Sequence, residues 1–154
     1  MIRLLASCIL LLSSCNAAHN KASKQLIQET IPFQILAQDT YGGYTDSKFL
    51  VIEDNKSLTE VFNLLNKSRS PELEIPAINL KKETVIALFL GEKTSGGYAI
   101  TVKQVLVKSN KIYIVYNVES PKGGDIVTSV MTQPFSIIKI PKTAKEIVFE
   151  KMNY

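Results

Sequence analysis

The chain has 154 residues, 45% of them apolar and 21% charged, a composition that excludes a disordered segment and fits one folded domain. Its formal charge of +4 comes from scattered lysines, with Lys81-Lys82 and the Lys139, Lys142, Lys145 set as the nearest things to clusters. That pattern is a solvated basic face. Nucleic-acid binding would want a basic stripe interleaved with stacking aromatics, and none is present; weak attraction to anionic lipid is the most this charge implies.

In chain order, Met1-Ile2-Arg3 is a short basic start and Leu4–Leu12 an apolar run too short to span a bilayer. Leu12-Ser13-Ser14-Cys15 then resembles the lipobox of bacterial lipoproteins. A second such site, Leu5-Ala6-Ser7-Cys8, would leave almost no apolar run before it. The resemblance implies a signal peptide over residues 1–14, a diacylglyceryl group on Cys15, and a flexible tether over residues 15–30. Acyl chains contribute ~0.8 kcal/mol per buried CH₂, and fifteen flexible residues reach about 20 Å. The chain has two cysteines; on this reading Cys8 leaves with the signal and Cys15 carries lipid, so none is left for a disulfide, a metal or a nucleophile. The expected location is the bacterial cell envelope. Asn16 after the cysteine favours the outer over the inner membrane. His19, the sole histidine, falls in the tether, where a spacer is the simple reading because a metal site needs several converging ligands.

A single domain is expected over residues 31–154. Ile31–Gln38 reads as a first strand starting near Pro32, and Tyr41-Gly42-Gly43-Tyr44 as a loop. Lys48–Glu53 is a second strand. Ser57-Leu58-Thr59-Glu60 matches a capping box. Leu58, Val61, Phe62 and Leu65 follow at helical spacing, which predicts a helix over Leu58–Lys67. Pro71 and Pro76 exclude regular structure up to about Asn79. Thr84–Leu90 is a strand buried on both faces. Tyr98–Lys108 is a long strand whose apolar phase slips near Lys103–Gln104, as a β-bulge would cause. Ser109-Asn110 is a tight turn into Lys111–Glu119, where Ile112, Ile114, Tyr116 and Val118 share a face. Ser120–Asp125 is a Pro/Gly loop; Ile126–Thr132, Phe135–Ile140 and Glu146–Glu150 complete about eight strands. The expected fold class is α+β: a mainly antiparallel β-sandwich or partly open barrel, mostly hairpin-linked, with the helix covering one end.

The segment Thr94-Ser95-Gly96-Gly97-Tyr98 interrupts two apolar runs. Gly96 and Gly97 can take positive φ and admit a second backbone at close range. Either they make a tight corner pinned by a buried Tyr98, or the loop is presented to a partner. Two further loops follow, Ser120-Pro121-Lys122-Gly123-Gly124 and Thr132-Gln133-Pro134-Phe135. Together with "IPAINLKKETVIALFL" before and "FSIIKIPK" after, this series resembles the PrcB-like family over about Asn79–Lys142. The family is named for an accessory lipoprotein subunit of a secreted bacterial protease complex. The resemblance implies an envelope protein that docks on or supports another protein; it does not imply a catalytic residue. On these loops the expected contact residues are Thr94, Ser95, Gly96, Gly97, Tyr98, Pro121, Gly123, Gly124, Gln133, Pro134 and Phe135. The same loops resemble, more loosely, the three inhibitory loops of chagasin-type cysteine-protease inhibitors, with Gln133 where those have arginine.

Catalytic patterns are sparse. No cysteine or histidine is expected in the folded domain to build a triad, and Ser47, Ser57, Ser95 and Ser129 lack a recognisable lysine spacing. Glu53, Asp54, Glu72 and Glu74 sit in loops or beside prolines. No phosphate loop, dinucleotide fingerprint or calcium loop occurs. The expectation is therefore a non-catalytic, lipid-anchored adaptor without metal or cofactor, bound to the membrane and to another envelope protein, a protease in the family's own case. The alternatives are a protease inhibitor, and a small-ligand-binding lipoprotein or an uncharacterised enzyme.

Overall fold

The computed structural model describes residues 28–152; the expected signal segment, Cys15, His19 and most of the expected tether lie outside them. Two four-stranded sheets and one helix make up the domain. The strands are β1 (Glu29–Thr30), β2 (Gln34–Asp39), β3 (Lys48–Ile52), β4 (Glu83–Phe89), β5 (Ala99–Lys108), β6 (Lys111–Glu119), β7 (Phe135–Pro141) and β8 (Ile147–Lys151), with α1 (Asn55–Asn66) between β3 and β4. One sheet has the order β1-β5-β6-β8 and the other β2-β7-β4-β3. All pairings are antiparallel except β6 with β8. The α+β sandwich class is as expected, but β5–β6 alone is joined by a tight hairpin. The β2–β3 link crosses the same sheet through the 40–47 loop, and the others pass between sheets or through α1.

The expected first strand is split. Ahead of it, the stretch expected as tether already pairs, Glu29 opposite Val107 and Thr30 opposite Leu106. The Ile31 amide then donates to Val105 O at 2.8 Å. Pro32 has no amide to continue that ladder, and the chain leaves for the other sheet as β2.

The helix begins three residues earlier than the capping box implied. Asp54 caps it in extended conformation; its Oδ1 accepts from the Ser57 amide at 2.8 Å and its Oδ2 from the Ser57 hydroxyl at 2.7 Å. A carboxylate one turn upstream takes the role assigned to Ser57. These bonds, that of the Ser57 amide first, hold the Asp54 carboxyl below its ordinary pKa. Glu60 stands 3.9 Å from Lys56 instead of reaching back to the cap.

Leu58, Val61, Phe62 and Leu65 pack on one face of the β2-β7-β4-β3 sheet, against Val85, Ala87, Phe89, Phe135 and Ile137. The helix thus covers a face, not an end. The opposite face of that sheet, through Ile86, Leu88, Ile138 and Ile140, meets Ile100, Val102, Val105, Ile112 and Ile114 of the second sheet. The result is three layers, helix on sheet on sheet, with β4 central. That explains the unbroken apolar run "TVIALF": alternate residues serve two different cores. The bulge in β5 falls between Val102 and Gln104. Ser109 and Asn110 both take positive φ, 47° and 65°, as a two-residue hairpin needs. After α1 the chain stays irregular to Lys82, clamped where the Asn66 side chain exchanges two 2.9 Å bonds with the Leu73 backbone.

Candidate functional site: a pole of converging loops

Strand polarity collects the glycine-bearing loops at one pole. Asp39 ends β2 opposite Phe135, Phe89 ends β4 opposite Lys48 and Phe135, and Ala99 begins β5 opposite Glu119 of β6. The segments at 40–47, 90–98 and 120–134 therefore all emerge at the same end. The chain comes into the domain at the other: β1 lies against Leu106 and Val107, beside the Ser109-Asn110 hairpin.

The loops are bonded to one another. Lys93 and Thr132 exchange backbone bonds of 2.8 and 2.9 Å, and the Gly96 amide donates to Thr128 O at 2.9 Å. The Thr132 hydroxyl donates to Ser95 O at 2.8 Å, and Gln133 Nε2 to Glu92 Oε2 at 3.2 Å. The Gln133 amide reaches Thr40 O at 2.9 Å, and the Glu92 amide Thr45 O at 2.8 Å. In the 120–125 loop Asp125 Oδ2 accepts from the Lys122 amide at 2.7 Å.

The Gly-Gly pair is explained by close approach. Gly97 has φ +83°, and a Cβ there would lie 2.9 Å from Pro121 Cγ and 3.2 Å from Val127 Cγ1; at Gly96 it would lie 2.5 Å from Thr128 Oγ1. Tyr98 is half-buried and precedes β5, its ring 6.0 Å from Lys93 Nζ. It does not pin the corner as a buried ring; the 120–132 segment packed on the glycines does. The earlier "YGGY" joins the same pole, where Tyr44 packs edge-on to Phe89 at 4.9 Å. Arg69 ties it down, donating from Nη1 to Asp39 Oδ2 at 2.8 Å and from Nη2 to Tyr41 O at 2.6 Å.

The expected contact residues divide by exposure. Thr94, Gly97, Gly123 and Gly124 are exposed, and Ser95, Gly96, Tyr98, Pro121 and Gln133 partly so. Pro134 and Phe135 are buried. The Phe135 ring sits 6.1 Å from that of Phe89 and 5.9 Å from the Arg69 guanidinium. These two residues are core, so they offer no surface to a partner, and the third loop of the inhibitor resemblance is lost with them.

In place of a strand, Ile126–Thr132 is an irregular, outward-facing segment. Ile126 is 103% exposed, Met131 59%, Val130 48% and Val127 37%. Tyr41 at 49% adds to the apolar surface of this pole. The pattern "IVTSVMT" carried the signal: its apolar residues fall at 126, 127, 130 and 131, so no alternating face exists to bury.

Perturbed carboxylates elsewhere have structural partners. Bonding to Lys139, 2.7 Å away, holds Glu83 low. Burial alone would raise Asp39, but the Arg69 bond, the Thr40 amide and the Arg69 charge together hold it below its ordinary value. The groove nearest the pole, about 200 Å³, is lined by Asp39, Tyr41, Leu65, Ser68, Arg69 and Ser70. Among the described residues no group of three or more His, Cys, Asp or Glu side chains is arranged to hold a metal ion.

Residues 84–141 match the family model described as PrcB C-terminal. The match runs from β4 to β7 and contains the 90–98 and 120–134 loops in full. No curated protein and no solved structure matches the chain.

Proposed function

We propose, from the match of residues 84–141 to the PrcB C-terminal model, that the chain is a non-catalytic accessory subunit, anchored in the bacterial envelope through a lipid on Cys15. Its loop pole docks on another envelope protein, and a protease is the partner that the family's namesake suggests. The observation that carries this reading is the convergence of the 40–47, 90–98 and 120–134 loops on one end, with exposed Tyr41, Ile126, Val127, Val130 and Met131 among them. Apolar side chains gathered on a bonded loop scaffold are the kind of surface that protein partners cover. The position of β1 supports the arrangement, since the chain reaches the domain at the pole opposite the loops.

The test is affinity purification of the full chain from gently solubilised envelopes, beside the double variant Ile126→Asp/Met131→Asp. Both positions are exposed, so the variant keeps its fold and its melting temperature. The expected result is a stoichiometric partner with the unaltered chain and none with the variant. A partner retained equally by both, or no stoichiometric partner at all, overturns the proposal. Cys15 is tested separately by metabolic labelling with a fatty-acid analogue, where an unlabelled mature chain rejects the anchor.

A further inference from the structure

The pole at which β1 enters has its own charge pattern. β4 begins there at Glu83 opposite Pro141, and β8 begins there at Ile147 opposite Ile112. The connecting segments 79–82 and 142–146 lie side by side: the Lys142 amide donates to Lys82 O at 2.7 Å, and the Ile112 amide to Glu146 O at 2.9 Å. Lysines crowd this end. Lys142 is paired with Glu53 at 3.4 Å, Lys111 with Glu146 at 2.9 Å and Lys139 with Glu83 at 2.7 Å. Lys81, Lys82 and Lys145 are exposed, and none has a carboxylate partner among the described residues. The acids nearby are already engaged, Glu53, Glu83 and Glu146 in those pairs and Asp54 in the helix cap. Three free ammonium groups therefore stand against one free carboxylate, that of Glu29.

We propose that this entry pole rests on an anionic phospholipid surface, with Lys81, Lys82 and Lys145 against the lipid phosphates. The inference rests on the anchor reading above. Cys15 lies thirteen residues before β1, and a flexible coil of that length reaches about 20 Å. An anchored chain thus presents this end, and not the loop pole, to the membrane at high local concentration. Within a screening length of about 8 Å, each lysine favours contact with an anionic leaflet by about fivefold, and three by on the order of a hundredfold. An apolar rim accompanies the charge: Pro32, Phe33, Ile140 and Pro141 line, with Lys82 and Lys139, a groove of about 410 Å³ at the same end. Apolar rings beside lysines suit the boundary between headgroups and acyl chains. An acidic protein would meet the same ammonium groups, but the chain's own anchor does not bring one to this end. The contact orients the domain, holding the loop pole outward.

The experiment reconstitutes the full chain, isolated from envelopes, into vesicles that carry a spin-labelled headgroup as quencher. The vesicles are phosphatidylcholine alone or with about 30% phosphatidylglycerol. A fluorophore is placed on Ala144→Cys at the entry pole or on Gly123→Cys at the loop pole, both exposed positions. With phosphatidylglycerol the dye at position 144 should be quenched roughly threefold more than on the neutral vesicle, and the dye at position 123 on neither. Salt of about 1 M, where the screening length falls to about 3 Å, should abolish the excess. So should Lys81→Glu/Lys82→Glu/Lys145→Glu, whose melting temperature should match the parent because the three side chains are exposed and unpaired. Equal quenching at position 144 on both vesicles overturns the proposal and leaves the lysines to an acidic partner; an excess that survives charge reversal overturns it too. Flotation with the neutral vesicle tests the anchor by itself, and a chain left behind there rejects the lipid on Cys15. The lysine contact is then read from flotation with the phosphatidylglycerol vesicle, and a chain left behind there as well rejects both.

Discussion

Gly97 takes φ +83° directly under Pro121 and Val127, while Gly123 has nothing within 4 Å of where a Cβ would stand. Similar in a sequence, the two positions differ in what substitution costs. Gly97→Ala meets both backbone strain and a steric clash and should destabilise by about 1–3 kcal/mol. Gly123→Ala should stay within about 0.5 kcal/mol of the parent, both read from urea denaturation. Arg69 gives a second test at this scale. Its link to Asp39 depends on an ionised carboxylate whose folded pKa is lowered from 3.8. A lowered folded value means that the contribution is fully present above the unfolded pKa and is lost as pH falls through the folded one. Arg69→Met should therefore be less stable than the parent near neutrality. The difference should shrink once the pH passes below the ordinary aspartate range, so a gap that widens in acid contradicts the assignment.

The helix is held by its buried stripe. Phe62 is 1% exposed and packs among Val85, Phe89 and Phe135, so Phe62→Ala should cost about 3–5 kcal/mol. Asn63→Ala on the exposed face should cost little, and thermal melts of the two distinguish a packed helix from a loosely attached one. At this scale much was legible in the sequence. The 3.6-residue period of Leu58, Val61, Phe62 and Leu65 identified α1, the unbroken run Thr84–Leu90 identified the doubly buried β4, and the phase slip at Lys103–Gln104 identified the bulge. What escaped depended on non-local facts. Nothing near Pro32 says that the chain changes sheets there, because the partner strands lie more than 70 residues apart in sequence. Composition suggested a strand at Ile126–Thr132, but no sheet had a vacancy beside β6, whose free edge is taken by the parallel β8. The loop pole shows the same limit: local chemistry marked Gly96, Gly97 and the Pro/Gly segments as turns and loops. The burial of Pro134 and Phe135, and the part played by Tyr41 and Arg69, follow only from packing.

The molecule as a whole is polar in the geometric sense. β5 runs from Ala99 at the loop pole to Lys108 at the opposite pole beside β1, a span of about 30 Å at the usual rise per strand residue. Thirteen residues lie between Cys15 and β1, and a flexible coil of that length reaches about 20 Å on average. An anchor at Cys15 would thus hold the loop pole several tens of ångströms from the membrane and facing away from it. On the proposed function, anchoring would act on docking through effective concentration and reach, not through the contact itself. Deleting residues 17–24 should accordingly leave the melting temperature and the affinity for the partner in detergent solution unchanged. In intact envelopes the same deletion should reduce the amount of partner cross-linked, because the pole no longer samples the same height. Equal loss in both settings would mean that the deleted residues touch the partner themselves. Equal retention in both would mean that the distance from the membrane does not govern the encounter.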